Sequence, residues 1–173
     1  MAKLGKKLLI IGSGGSGKST LARHLGEILA LPVIHLDQAF WHVGWIKTPK
    51  EEWHRTVRHF VMKPEWIIEG NYSGTLETRL NQADTVIFLD FNRLICIGRV
   101  IRRWLAYLGK TRPDMPEGCV EKIDFSFLKW LWQFPSNVRP NIIEKSLAYN
   151  NLEWIIVKNP RMLKQFVREI SKR

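Results

Sequence analysis

Short apolar runs alternate along this chain with longer segments in which apolar residues recur every three or four positions. Apolar runs without polar alternation are typical of strands that are covered on both faces. Such runs occur at residues 8–11, 33–36, 66–68, 85–89 and 154–157. Because strand and helix patterns alternate throughout, we predict an α/β fold in which a five-stranded parallel sheet lies between two layers of helices.

The segments between these runs predict helices. The first follows a glycine-rich loop and runs to residue 29. The next starts at Thr48 and Pro49, an N-cap followed by proline at the first helical position. Shorter helical patterns cover residues 76–80 and 142–149, and the C-terminal residues 162–170 have helical spacing as well.

Three further segments are rich in apolar or aromatic residues. We expect a helix that Asn92 caps and Gly109 ends. Its apolar side consists of Leu94, Ile97, Ile101, Trp104, Leu105 and Leu108. Aromatic residues are dense at 37–45, where we expect a loop, and at 125–134, a segment that we expect Pro135 to break.

The glycine-rich loop matches the pattern G-x-x-x-x-G-K-[ST] and lies between a predicted strand and a predicted helix. Its glycines allow the backbone N–H groups to point inward, so that they form an anion-binding nest at the start of the helix. Lys18 can reach the β- and γ-phosphates of a nucleotide, and the hydroxyl of Ser19 can bind Mg²⁺. We therefore predict a nucleotide-binding site formed by Gly12, Ser13, Gly14, Gly15, Ser16, Gly17, Lys18, Ser19 and Thr20.

The composition bounds the class of protein. With 173 residues, of which 45% are hydrophobic and 25% charged, we expect one globular domain over residues 1–173. The formal net charge of +11 implies either anionic partners, nucleic acid among them, or a solvated surface with several phosphate-binding arginines. Cys96 and Cys119 lack metal or redox spacing, and no apolar run reaches the ~20 residues of a membrane span. We expect a cytoplasmic protein with free thiols and no membrane partner.

The chain resembles the adenylate-kinase-like group of P-loop kinases. The resemblance rests on the phosphate loop, on the segment 67–70 with its acidic residue before glycine, and on Arg99 and Arg103, four residues apart. A narrower resemblance, carried by residues 36–45, 69–72 and 112–117, is to bacterial proteins called DNA topology modulation proteins. The resemblance implies an adenylate-kinase-like P-loop fold with a short lid, here at about residues 109–137. It also implies ATP as the phosphoryl donor and Mg²⁺ as the cofactor.

Three acids at predicted strand ends compete for the metal: Asp37, Glu69 and Asp90. Asp90 fits the metal-binding pattern because an apolar run precedes it. The resemblance instead selects Glu69, whose strand is then expected beside the first strand. We expect the metal site to be formed by Ser19 and Glu69.

The remaining chemistry concerns the acceptor and the transferred phosphate. Asp37 follows the second predicted strand and is the candidate general base, with a turn-stabilising aspartate as the alternative. Trp41 and Asn71 are further acceptor-site candidates, although packing also accounts for Trp41. Arg99 and Arg103 share a helix face and are assigned to the triphosphate. Ser73 stands where nucleoside-monophosphate kinases usually place an arginine for the acceptor phosphate, which argues against a nucleoside monophosphate as acceptor. Arg55, Arg58 and Arg79 are the alternatives for that role.

Two functions follow from these residues. The first is a kinase that transfers the γ-phosphoryl group of ATP to a small, nucleoside- or nucleotide-like acceptor, with Lys18, Asp37, Arg99 and Arg103 as catalytic residues. The second is a basic, nucleic-acid-associated regulator that uses ATP binding as a switch, although no DNA-reading motif is present in the sequence. A monomer or a homodimer is compatible with either function.

Overall fold

A computed structural model describes residues 4–112, 115–122 and 124–172 of the chain. Its strands and helices alternate, as the hydrophobic pattern predicts. The elements are β1 (Lys7–Gly12), α1 (Lys18–Leu29), β2 (Val33–His35), α2 (Leu36–Phe40), β3 (Trp41–His42), β4 (Ile46–Lys47), α3 (Lys50–Val61), β5 (Trp66–Glu69), α4 (Leu76–Leu80), β6 (Thr85–Leu89), α5 (Arg93–Ala106), α6 (Phe125–Asn137), α7 (Arg139–Ala148), β7 (Glu153–Val157) and α8 (Pro160–Ile170).

Five of the strands form one parallel sheet in the order β2-β5-β1-β6-β7. The central strand β1 pairs with β5 on one side and β6 on the other, so that Ile10 lies opposite Glu69 and Gly12 opposite Leu89. Alternate residues of β1 pack on opposite faces: Leu9 contacts the layer that contains α3, α4 and α7, and Ile10 the layer that contains α1 and α8. The predicted three-layer α/β fold with a five-stranded parallel sheet is confirmed.

The topology brings one edge of the sheet together. Because all five strands are parallel, their carboxyl ends lie at the same edge, where ligands bind in folds of this kind. The segments that follow β1, β2 and β5 are neighbours there, since these three strands are adjacent in the sheet. No helix among the described residues is long and apolar enough to cross a membrane.

The aromatic segment 37–45 is more ordered than the predicted loop. Residues 36–40 form a helix, and Trp41–His42 pairs in antiparallel fashion with Ile46–Lys47 to form a small hairpin. Asp37 therefore lies in the first turn of α2 rather than at the end of a strand. Helix-breaking residues are absent from Leu36–Phe40, which is why one helical turn fits between β2 and the hairpin.

Thr48 was expected to cap α3, but Pro49 occupies the N-cap position and no side chain bonds the helix start there. The hydroxyl of Thr48 instead donates to the carbonyl oxygen of Phe40 at 2.7 Å. This contact closes the segment that contains α2 and the hairpin, so a long-range partner outcompetes the local cap.

The predicted apolar side of α5 was wrong. Leu94, Leu105 and Leu108 are 64%, 60% and 59% exposed, whereas Cys96 and Val100 are buried. Apolar residues occur on most of this helix, so spacing alone does not choose the buried face. The predicted cap at Asn92 is confirmed, since its side chain accepts from the N–H of Leu94 at 2.8 Å. The helix ends at Ala106, before Gly109.

Pro135 does not break the aromatic segment, because α6 continues from Phe125 to Asn137. Proline removes one N–H donor, so the helix loses the bond that residue 135 would donate to the carbonyl oxygen four residues earlier. Only Ser136 and Asn137 follow the proline within the helix, so little of the helix depends on continuing past it. The start of the helix is stabilised by Asp124, whose side chain accepts from the N–H of Ser126 at 2.8 Å.

Candidate active site

The phosphate loop connects β1 to α1, and its backbone has a conformation that glycine permits. Gly15 has a φ of 75°, and a Cβ atom there would lie 2.3 Å from the carbonyl oxygen of Cys96. Gly17, the residue before the first turn of α1, has a φ of 98°. The Nζ atom of Lys18 donates to the carbonyl oxygen of Ser13 at 3.1 Å, so its ammonium lies over the loop. The hydroxyl of Ser16 is buried and has no hydrogen-bond partner within the described part of the chain.

Glu69 lies beside the phosphate loop. The hydroxyl of Ser19 donates to its Oε1 atom at 3.0 Å, and Nδ1 of His35 lies 2.8 Å from the same oxygen. The carboxyl group of Glu69 is buried, and Ser19 and His35 are in contact with it there. A serine hydroxyl and a carboxylate are the hard oxygen ligands that Mg²⁺ prefers, and Mg²⁺ takes few protein ligands because it keeps waters and phosphate oxygens. Ser19 and Glu69 therefore fit Mg²⁺.

Asp90, the alternative acid, has a different partner. Its two carboxylate oxygens accept from Nε of Arg139 at 2.9 and 3.0 Å. The ion pair joins the end of β6 to the first residue of α7. These two residues are 49 positions apart, and no sequence pattern predicted that they would pair. Asp90 thus holds a helix against the sheet.

Asp37 forms a short hydrogen bond with a tyrosine that the sequence did not single out. The hydroxyl of Tyr72 donates to Oδ1 of Asp37 at 2.5 Å. Burial and the negative charge of Glu69 raise the pKa of Asp37 above its ordinary value, and Tyr72, Lys18 and Arg112 offset only part of this rise. Burial and the charge of Asp37 also raise the pKa of Tyr72, so the tyrosine keeps its proton. A carboxyl group with a raised pKa is a stronger proton acceptor than an ordinary aspartate.

Asn71 binds the phosphate loop directly. Its amide nitrogen donates to the carbonyl oxygen of Gly12 at 2.6 Å, and its amide oxygen accepts from the N–H of Gly12 at 3.0 Å. Both ends of the amide are therefore engaged by the first residue of the loop. Asn71 therefore stabilises the start of the phosphate loop. Its contact with the acceptor stays a prediction.

The two arginines of α5 have different partners. Nη1 of Arg99 donates to the carbonyl oxygen of Ser16 at 3.2 Å, which brings its charge to the phosphate loop. Arg103 lies one turn further on and donates from Nε to Glu121 at 2.9 Å. Glu121 is buried and also pairs with Arg112, whose Nε atom lies 2.7 Å from its second oxygen. Arg99 thus joins the phosphate site, whereas Arg103 belongs to a cluster around Glu121.

The segment that contains Glu121 docks on the aromatic hairpin. The indole N–H of Trp45 donates to the carbonyl oxygen of Val120 at 3.0 Å, and the thiol of Cys119 donates to the carbonyl oxygen of His42 at 3.2 Å. Trp41 lies between Trp45 and Phe40, in edge-to-face contact with both rings. The predicted lid-like insert, 109–137, includes this segment and α6. Its residues Pro113, Asp114 and Ile123 lie outside the described part of the chain.

Helix α6 covers the phosphate loop from another side. A Cβ atom on Gly14 would lie 2.7 Å from Phe127 and 2.9 Å from Leu131, so these apolar side chains touch the loop backbone. Thr20, the last residue of the predicted nucleotide site, is exposed on α1.

The structure brings most of the predicted residues to one edge of the sheet, and three more residues join them. His35, the last residue of β2, contacts Glu69. Tyr72 belongs to the segment 69–72 that carries the narrower resemblance, but no role followed from that resemblance. For Glu121 the available clue was its position in the lid-like insert. Only the folded structure shows what these two side chains contact.

Known structures share this fold. The chain is similar to a shikimate kinase from Acinetobacter baumannii in complex with shikimate, with a TM-score of 0.58, 17% identity and coverage of 94% of this chain and 89% of that one. It is also similar to a gluconokinase from Sinorhizobium meliloti 1021, with a TM-score of 0.55, 15% identity and coverage of 99% and 92%. A shikimate kinase from Bacteroides thetaiotaomicron gives 0.52, 16%, 95% and 96%.

At the level of sequence, no protein-family model and no curated protein matches the chain. Identities of this size establish the fold alone, which the chain shares with this gluconokinase and these shikimate kinases. The narrower resemblance to DNA topology modulation proteins is not confirmed by these structures and stays a prediction.

Proposed function

We propose that this protein is an ATP-dependent kinase that phosphorylates a hydroxyl group of a small acceptor. One observation carries the proposal: the hydroxyl of Ser19, in the first turn after the phosphate loop, donates to the buried carboxyl group of Glu69, whose negative charge helps to raise the pKa of Asp37. A candidate base therefore faces the residues that would hold the triphosphate and its metal. The structural neighbours that are named gluconokinase and shikimate kinase support a small-molecule acceptor.

The phosphate end of the site would bind the donor. The backbone N–H groups of the loop and the ammonium of Lys18 neutralise the β- and γ-phosphates, and Arg99 adds a further charge at Ser16. Ser19 and Glu69 would hold Mg²⁺ with its waters. Bound there, Mg²⁺ supplies positive charge to the oxygens of the triphosphate during transfer.

The acceptor end would supply the nucleophile. As the acceptor oxygen forms its bond to the γ-phosphorus, the bond from that phosphorus to the bridging oxygen breaks, and ADP leaves with the electron pair. The hydroxyl proton passes to Asp37, which Tyr72 holds in place. Trp41 and the docked segment 115–122 would limit the entry of water into this space, which discourages transfer to water.

The test screens small hydroxyl compounds, nucleosides among them, for ADP release with Mg-ATP. The expected result is one class of acceptor that raises ADP release well above the rate in buffer, and only when Mg²⁺ is present. In Lys18→Ala we expect the rate to fall at least about a hundredfold, because a charge that stabilises the transition state is lost.

Lys6→Ala is the matched control. Its side chain is 76% exposed and pairs with Glu65, away from the loop. This variant should retain the wild-type rate. Mg-ATP turnover by Lys18→Ala at the rate of Lys6→Ala would contradict the kinase assignment.

A second candidate, nucleic-acid binding, rests on the surface of α3. A groove of about 530 Å³ is lined by Lys50, Glu51, His54, Arg55 and Arg58. Its positive charge suits a phosphodiester backbone, and such binding would weaken with salt by about 0.9 in log K per log unit for each phosphate contact. A duplex titration of Arg55→Glu beside wild type tests it. Equal affinities, or no binding at physiological salt, would remove this candidate.

A further inference from the structure

Arg79 is a charged residue that lies in the protein interior. Its side chain has 0% relative exposure. The guanidinium group donates to four backbone carbonyl oxygens of one short turn: to Gly70 at 2.8 Å, to Tyr72 at 2.8 Å, to Thr75 at 3.3 Å, and to Asn71. Burial of a cation on neutral carbonyl groups is costly, and it lowers the pKa of Arg79 to about 9. The turn that it binds, residues 70–75, therefore needs a reason to be held so firmly.

The middle of this turn reaches two parts of the candidate site. The side chain of Asn71 binds both backbone groups of Gly12, the first residue of the phosphate loop. The hydroxyl of the next residue, Tyr72, binds Asp37, the candidate base. Two adjacent residues thus connect the donor end of the site with the acceptor end.

The backbone of the turn would not keep this shape unaided. Tyr72 has a φ of 35°, in the left-handed region that a bulky residue seldom adopts. Such a conformation persists only where surrounding contacts determine it. Arg79 binds the carbonyl oxygens of Asn71 and Tyr72 with the same nitrogen, Nη2, and so fixes the two peptide groups relative to each other.

We propose that Arg79 is a positioning residue. By binding the backbone of the turn 70–75, it holds the phosphate loop and Asp37 in a fixed position relative to each other. Arg79 contacts neither the phosphate loop nor Asp37 itself. It orients the backbone from which Asn71 and Tyr72 extend in different directions. The inference rests on the proposed function, because it treats the phosphate loop and Asp37 as parts of one site.

The test uses the full-length protein and two measurements that need no known acceptor. Calorimetry gives the Kd of Mg-ATP, and ¹³C NMR of aspartate-labelled protein follows the titration of the Asp37 carboxyl group. In Arg79→Lys, which keeps the charge but lacks the planar fork, we expect the Kd to rise at least tenfold. We also expect the titration of Asp37 to move to higher pH, since the Tyr72 hydroxyl no longer stabilises the carboxylate.

Two single variants separate the branches. Asn71→Ala should raise the Kd of Mg-ATP and leave the Asp37 titration in place. Tyr72→Phe should move the Asp37 titration upward and leave the Kd in place. Arg168→Lys, an exposed position on α8, is the matched control and should change neither.

The outcomes distinguish the two proposals. If Arg79→Lys melts at a lower temperature but keeps the wild-type Kd and Asp37 titration, Arg79 is a structural residue only, and the inference is overturned. If Arg79 variants do not fold, Asn71→Ala and Tyr72→Phe test the inference instead. The inference is overturned unless Asn71→Ala raises the Kd of Mg-ATP and Tyr72→Phe moves the Asp37 titration upward. If wild type binds no Mg-ATP, the proposed function fails, whereas the Asp37 titration in Arg79→Lys still tests whether Arg79 positions Tyr72 against Asp37.

Discussion

The hydroxyl of Ser19 donates a hydrogen bond to Oε1 of Glu69 at 3.0 Å. This contact joins the first turn of α1 to the end of β5, and it exists because β5 lies directly beside β1 in the sheet. The contact therefore favours Glu69 over Asp90 as the acid beside Ser19, since Asp90 pairs with Arg139 instead.

Glu69→Gln is expected to raise the Mg²⁺ concentration needed for half-maximal ATP turnover at least tenfold, because an amide oxygen binds Mg²⁺ more weakly than a carboxylate. The measurement is a Mg²⁺ titration at saturating ATP. Asp90→Asn is the control: it should keep the Mg²⁺ requirement and lose about 0.5–1 kcal/mol of stability, because a partly exposed ion pair is removed. The reverse pattern would transfer the metal to Asp90.

Asp37→Asn should lower kcat by about 10²–10⁴, the usual contribution of a general base. In wild type, kcat should fall as pH decreases through the raised pKa of Asp37, since protonation removes the base. The acid limb should therefore lie above the pH at which an ordinary aspartate titrates. A pH profile of kcat measures it, and a limb at the ordinary position would exclude Asp37 as the base.

The same carboxyl group makes stability depend on pH. Its pKa is raised in the folded state, so the folded form binds its proton more tightly than the unfolded form does. Its contribution to stability is full below the unfolded pKa and is lost as pH rises through the folded pKa. Asp37→Asn should therefore flatten this part of the curve of unfolding free energy against pH, as measured by urea denaturation. Parallel curves for variant and wild type would contradict the shift.

Two glycines should respond in opposite ways to alanine. Gly15→Ala places a Cβ atom 2.3 Å from the backbone of Cys96 at a φ of 75°, so we expect a loss of about 2–4 kcal/mol and of ATP affinity. Gly98→Ala lies in α5 with no atom within 4 Å of the new Cβ among the described residues, so we expect a gain of about 0.5–1 kcal/mol. Urea denaturation of the pair checks both signs.

Arg99→Ala should lower kcat by about 10³ with little loss of stability, because its guanidinium contacts the phosphate loop and stabilises the charge of the transferred group. Arg168→Ala, on the exposed side of α8, should retain wild-type kcat. Steady-state kinetics at saturating Mg-ATP separates a loss in kcat from a rise in KM. Equal kcat values for the two variants would remove Arg99 from the chemistry.

Local patterns were sufficient wherever the cause of the structure is local. The phosphate loop follows from its glycines and its place between a strand and a helix. The five strands follow from apolar runs, and the cap at Asn92 from a side chain that bonds the N–H two residues on. Patterns failed where packing beyond the local element decided the outcome: Thr48 binds Phe40 instead of capping α3, and four of the six residues expected on the apolar side of α5 are exposed.

The parallel sheet and the phosphate loop after its first strand could be predicted from the sequence, because both depend on residues that are neighbours in the chain. Tertiary contacts determine which acid meets Ser19, which tyrosine holds Asp37, and which buried arginine fixes the turn between them. The first two contacts join residues 50 and 35 positions apart, and the third joins Arg79 on α4 to a turn seven positions earlier. Strand order and helix docking bring these residues into contact, and the spacing of residues along the chain does not reveal such contacts.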